Sequence, residues 1–74
     1  MLERVGEEHK MLGLSPIGIT CLRWVAEGRT IREVAMIEGT SVLTVAHHLG
    51  SVCQALGTSN SVKAISTARQ LKLI

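Results

Sequence analysis

Apolar residues recur three and four apart along this chain, and the first three such runs each end at a glycine. Ile17, Cys21 and Val25 stand at four-residue steps with Leu22 beside them, the period of a helix with one inward stripe. Ser15 is a good N-cap, Pro16 suits the first helical position, where a missing N–H costs nothing, and Gly28 suits the end. The first helix is therefore predicted over about residues 16 to 27. Thr30 with Glu33 three residues on forms a capping box that opens a second helix. Val34, Ala35 and Ile37 are expected to face inward there, and Gly39 ends it after two turns. Ser41 caps a third helix, leaving Thr40 in a very short turn. Val45, Leu49, Val52 and Leu56 then follow as a core stripe, closed by Gly57. The fourth helix is expected to start near Ser59 or Asn60 and to run through Val62, Ala64, Ile65, Ala68 and Leu71.

No alternating strand pattern and no Asn-Gly or Asp-Gly hairpin signal interrupts this series. The chain reads as all-α, a four-helix bundle domain over residues 14–74. The charged, glycine-ended stretch MLERVGEEHKMLG, residues 1–13, reads as a linker or lead-in left from a longer chain. Within the domain, the second helix, its tight turn and the third helix make a helix-turn-helix at about residues 30–49.

Composition narrows the classes. Seventy-four residues make one small domain, and 46% hydrophobic residues suffice for a core although Trp24 is the single aromatic. Trp24 is the expected chief space-filler of that core. No apolar run approaches the ~18 residues of a membrane span, and no basic stretch leads into a hydrophobic one with a small-residue cleavage site, so secretion is not expected. Cys21 and Cys53 lack metal or redox spacing, so they are expected as buried free thiols of a cytoplasmic protein. His47 and His48 point about 100° apart on a helix and Cys53 lies with neither, so no metal site is expected. His48 should be packed and hydrogen-bonded, and His47 exposed. No nucleophile–base pair and no phosphate-cradling glycine loop can be assembled, so neither an enzyme nor a cofactor is expected.

Net charge is only +2, but all six acids precede residue 39, whereas Lys63, Arg69 and Lys72 follow it unopposed. An acid-free half suits a partner that carries phosphates.

At this point the residues resemble the DNA-binding domain of LuxR-type transcription regulators. The resemblance rests on Leu14 and Ser15 at the start and on Leu22, Ala26 and Gly28 at the end of the first helix. It continues through Thr30 with Glu33, Val34 and Ala35, and through Ser41, Thr44, Val45 and His48. Leu56 with Gly57, and then Ala64, complete it. The stretches LRWVAEGRT and KLI resemble the acyl-homoserine-lactone-responsive, quorum-sensing branch. Members of that branch carry a pheromone-binding domain before this one, so pheromone would reach this chain only through that other domain. Double-stranded DNA is then the expected partner, with RNA polymerase a further one. The resemblance also implies a homodimer through the last helix, with Val62, Ile65, Arg69 and Leu73 as interface residues.

The sequence departs from the family pattern where charge is usual. Ile17, Gly18 and Thr20 replace an Arg-Glu pair and a further Glu that tie the first helix to the rest. Ala46 and Gly50 stand at basic positions of the reading helix, Ala55 replaces a lysine, and Ser61 an arginine. At 100° per residue, Leu43, Ala46, His47, Gly50 and Gln54 share the face opposite the core stripe, and they are the expected base readers. Leu43 and Ala46 would meet thymine methyls, His47 and Gln54 base edges, and Gly50 would let the backbone sit deep. Arg29, Thr30, Arg32, Ser41, Thr44 and Lys63, at helix starts, are the expected phosphate contacts. The alternative is a protein-interaction module on the same fold, with the uncharged face docking a protein.

Overall fold

The computed structural model describes residues 14–74, so the lead-in expected over residues 1–13 lies outside the described part. Among the described residues four helices follow one another: α1 Pro16–Ala26, α2 Ile31–Glu38, α3 Val42–Ala55 and α4 Ser61–Gln70. Among the described residues there is no strand. The first and third helices pack against each other and against both of the other two.

Each helix begins where a short polar side chain can satisfy a free amide. Ser15 Oγ accepts from Gly18 N at 3.1 Å with Pro16 at the first position. Thr30 and Glu33 close the full capping box on α2. Ser41 Oγ accepts from Thr44 N at the start of α3. Asn60 Oδ1 accepts from both Val62 N and Lys63 N at the start of α4. Asn60, not Ser59, is therefore the cap.

All four helices stop in the same way. The chain turns into the left-handed region, and the next amide reaches back to a carbonyl five residues earlier. Glycine makes three of these turns and Lys72, at φ 59°, makes the fourth. That last turn folds Leu73 back onto the domain, where it is only 9% exposed. Leu73 was expected on a dimer face. It is a core residue instead, because α4 itself contributes only Ala64 and Ala68 to the interior and leaves room for a larger side chain.

The core is aliphatic, with Leu22, Val34, Val45, Val52 and Cys21 its largest fully enclosed side chains. Trp24 is half-buried at its edge, which corrects its expected role as chief filler. Its indole N–H donates to Glu38 Oε2 at 2.9 Å, so the ring stays at the boundary where that polar end has a partner. Ile37 is 46% exposed and does not face inward as expected. On α2 the direction between Val34 and Ala35 is inward, and 100° steps carry Glu38 near it and Ile37 well away.

Gly18 lies at the crossing of α1 and α3. A Cβ there would come within 2.6 Å of Val52 Cγ2 and 3.0 Å of Ser15 Oγ. The first helix is thus tied to the rest by close backbone approach at Gly18 and by the Trp24–Glu38 hydrogen bond. Position 18 falls four residues before Leu22 on the inward stripe, and that was the signal available in the sequence.

Candidate nucleic-acid interface

On α3 the residues Val45, Leu49, Val52 and Cys53 are buried. The opposite side presents Leu43, Ala46, His47, Gly50 and Gln54, all exposed, and the helix carries no formal charge. Leu43 projects furthest, at 81% exposure. At Gly50 an added Cβ would meet nothing within 4 Å. A glycine inside a helix costs about 1 kcal/mol against alanine, and no packing in the described part requires one there.

Beside this face runs an open groove. Ala46, Gly50 and Gln54 line it from α3, Ile31 from the first turn of α2, and Ser59 and Ser61 from the start of α4. The beginnings of α2 and α4 therefore meet at one groove beside the outward face of α3. Arg29, Thr30 and Arg32 stand at the first of these and Lys63 at the second, all exposed. Ile31, Ser59 and Ser61 were not among the expected contacts. For Ile31 the sequence held a signal, a large apolar residue at a first helical turn outside the inward set.

The hydroxyls at the helix starts are already partly engaged. Thr30 Oγ1 accepts from Glu33 N at 3.1 Å. Ser41 Oγ accepts from Thr44 N and donates to Thr44 Oγ1 at 2.9 Å, which leaves the Thr44 hydroxyl hydrogen free to donate elsewhere. Such a donor, with the dipole of a helix N-terminus behind it, suits an anion.

Arg29 faces two partners. Its guanidinium lies 6.0 Å from the centroid of the Trp24 ring and 3.7 Å from Glu33 Oε2. Both charged side chains are about half exposed, 50% and 47%, so the pair holds Arg29 weakly and leaves it reachable. The Thr30 backbone N–H, helped by the Thr30 hydroxyl and by Arg29, holds the Glu33 carboxyl below its ordinary range. In the core, burial, with the negative charge of Glu38 adding, pushes the Cys21 thiol up. Both cysteines are free and buried.

The two histidine rings meet edge to face, with centroids 6.1 Å apart. His47 is exposed. His48 is half-buried, and among the described residues no hydrogen bond reaches its ring, which corrects the expectation of a hydrogen-bonded histidine. Among the described residues no three His, Cys, Asp or Glu side chains gather as metal ligands.

A second groove lies along α4, where Val62, Ile65 and Arg69 meet Ala26 at the end of α1. Val62 is 75% exposed and Ile65 half-buried. Three of the four expected interface residues thus share one surface, and Leu73 lies in the interior.

Comparison with known proteins gives the same frame. The family model described as bacterial regulatory proteins, luxR family, matches residues 12–68. The transcriptional activator protein YukR of Yersinia ruckeri is 41% identical over 61 residues, 82% of this chain and 27% of the relative. The transcriptional activator protein EsaR of Pantoea stewartii subsp. stewartii is 43% identical over 53 residues, 72% of this chain and 21% of the relative. An HTH-type quorum sensing-dependent transcriptional regulator, VjbR of Brucella ovis, is 38% identical over 61 residues, 82% of this chain and 24% of the relative. The chain thus spans about a quarter of the length of the curated relatives it matches. No solved structure matches it.

Proposed function

The chain belongs to the luxR family of bacterial regulatory proteins, and from that premise we propose that α3 lies in the major groove of promoter DNA. The observation that carries this reading is the uncharged, outward face of α3 with the starts of α2 and α4 beside it at one groove. Arg29, Thr30, Arg32 and Lys63 grip phosphates from those starts, Ser41 and Thr44 do so from the start of α3 itself, and together they set the register. Leu43 and Ala46 meet thymine methyls, His47 and Gln54 offer hydrogen bonds to base edges, and Gly50 admits the backbone. Without a bidentate arginine–guanine pair, each worth about 1–3 kcal/mol of discrimination, a single domain has shallow base preferences.

The longer relatives named as activators and as a quorum sensing-dependent regulator support a parent protein of that kind. In that setting residues 1–13 link the domain to a preceding sensor, RNA polymerase is a partner of the parent, and the site of action is the cytoplasm. No described helix is long and apolar enough to cross a membrane. Val62, Ile65 and Arg69 pair α4 with its copy, doubling the phosphate contacts on a two-fold site.

Titration of the chain with labelled random-sequence and A·T-rich duplexes, at low and at moderate salt, tests this. Backbone amides from Arg29 to Arg32 and from Ser41 to Gly50 should shift. With about three to five phosphates neutralised per protomer, log affinity should fall steeply with log salt. A flat salt response, or no response at low salt, removes DNA binding in favour of a protein-docking surface.

A further inference from the structure

Trp24 touches the residue that leads into α2 and the last residue of α2. At the end of α1, Gly28 takes φ +95° and the Arg29 amide donates to the Trp24 carbonyl at 3.1 Å. In this type of helix stop the residue after the glycine folds back over the residue five before it. Here that pairing brings the Arg29 guanidinium over the indole, 6.0 Å from the ring centroid. The other edge of the same ring donates its N–H to Glu38 Oε2 at 2.9 Å, which ties down the end of α2.

We propose that Trp24 is the positioning residue for the phosphate contact of Arg29, holding the guanidinium at the mouth of the helix-turn-helix before DNA arrives. The inference rests on the reading of Arg29 as a phosphate ligand given above. An arginine side chain has several rotatable bonds, and ordering it at the moment of contact weakens the contact. The indole face and Glu33 both attract it beforehand, yet it stays half exposed and able to reach a phosphate. The ring quadrupole attracts the cation without neutralising it, and the exposed pair with Glu33 is weak, so charge remains for a phosphate.

Salt dependence of binding to a short random-sequence duplex separates this from a merely structural role, which lowers affinity at every salt concentration without changing the slope. Arg29→Gln should reduce the slope of log affinity against log salt by about 0.9, the loss of one phosphate. Trp24→Leu should remove most of that same increment, the double variant should lose no more, and Trp24→Phe, which keeps a ring face, should retain it. If Arg29→Gln flattens the slope and Trp24→Leu does not, Trp24 has no positioning role. If Arg29→Gln itself leaves the slope unchanged, Arg29 is not a phosphate ligand and the proposal falls with that reading. Should Trp24→Leu fail to fold, the unaltered chain decides by NMR. The side-chain protons of Arg29 should be shifted upfield by the ring both free and duplex-bound, and loss of that shift on binding overturns the proposal.

Discussion

Gly18 and Gly50 both stand inside helices, and their surroundings are opposite. At Gly18 an added methyl would press into Val52 at 2.6 Å, whereas at Gly50 it would meet nothing within 4 Å. One glycine is explained by the packing of this chain and the other is not. The inward side of α3 is set by what the chain itself must bury; the outward side answers to something outside it. Gly18→Ala is the strongest test of the first half. Val52 is β-branched and fully enclosed, so it has little freedom to move aside. Overpacking there should cost about 2 kcal/mol in chemical denaturation, even after the better helix propensity of alanine. Val52→Ala should be destabilising alone and less so in the Gly18→Ala background, because the two residues share one space. Additive effects would show that α1 and α3 do not meet at that point.

Gly50→Ala turns the comparison round. With open space at the Cβ, the fold should gain up to about 1 kcal/mol from helix propensity, seen as a higher denaturation midpoint. The same methyl should weaken duplex binding if the α3 backbone lies close against the DNA. Opposite signs in the two measurements mark a residue kept for a partner. A stabilised variant with unchanged affinity would show that no close approach occurs at Gly50.

The same division explains what could be read from the sequence. Helix ends were legible because Ser15, Thr30, Ser41 and Asn60 cap locally and Gly28, Gly39 and Gly57 stop locally, with no need of tertiary knowledge. The outward set on α3 was legible from a single periodicity. Contacts across the fold were not. Trp24 and Glu38 are fourteen residues apart, and nothing in their spacing says that one indole N–H meets that carboxylate. Leu73 continues the apolar positions of α4 in sequence, but the left-handed turn at Lys72 sends it into the core. Lysine rarely takes that conformation, so no residue type announced the stop as glycine did at the other three. Ile37 failed for a different reason: with α2 only eight residues long, one misplaced position leaves no later turn to correct the stripe.

The smallest effect concerns the edge between the two sides, where Glu33 serves the fold through Thr30 and pairs weakly with Arg29. Its carboxyl is held below the ordinary range, first by the Thr30 backbone N–H. A lowered acid pKa means that the folded chain binds the proton less readily than the unfolded one. The stabilisation is therefore complete above the unfolded value of about 4.3 and is lost as pH falls through the lower, folded value. Thermal unfolding followed downward from about pH 6 should show a slight loss in the unaltered chain across that window. Glu33→Gln keeps an acceptor for the Thr30 amide but cannot titrate, so its curve should lack that increment. The loss should be slight because the carboxylate is exposed to solvent and salt, which screen its attraction to Arg29. Identical acid profiles for the two chains would mean that the carboxylate charge at the start of α2 does nothing for the fold. Glu33 would then act on Arg29 alone, on the outward side of the molecule.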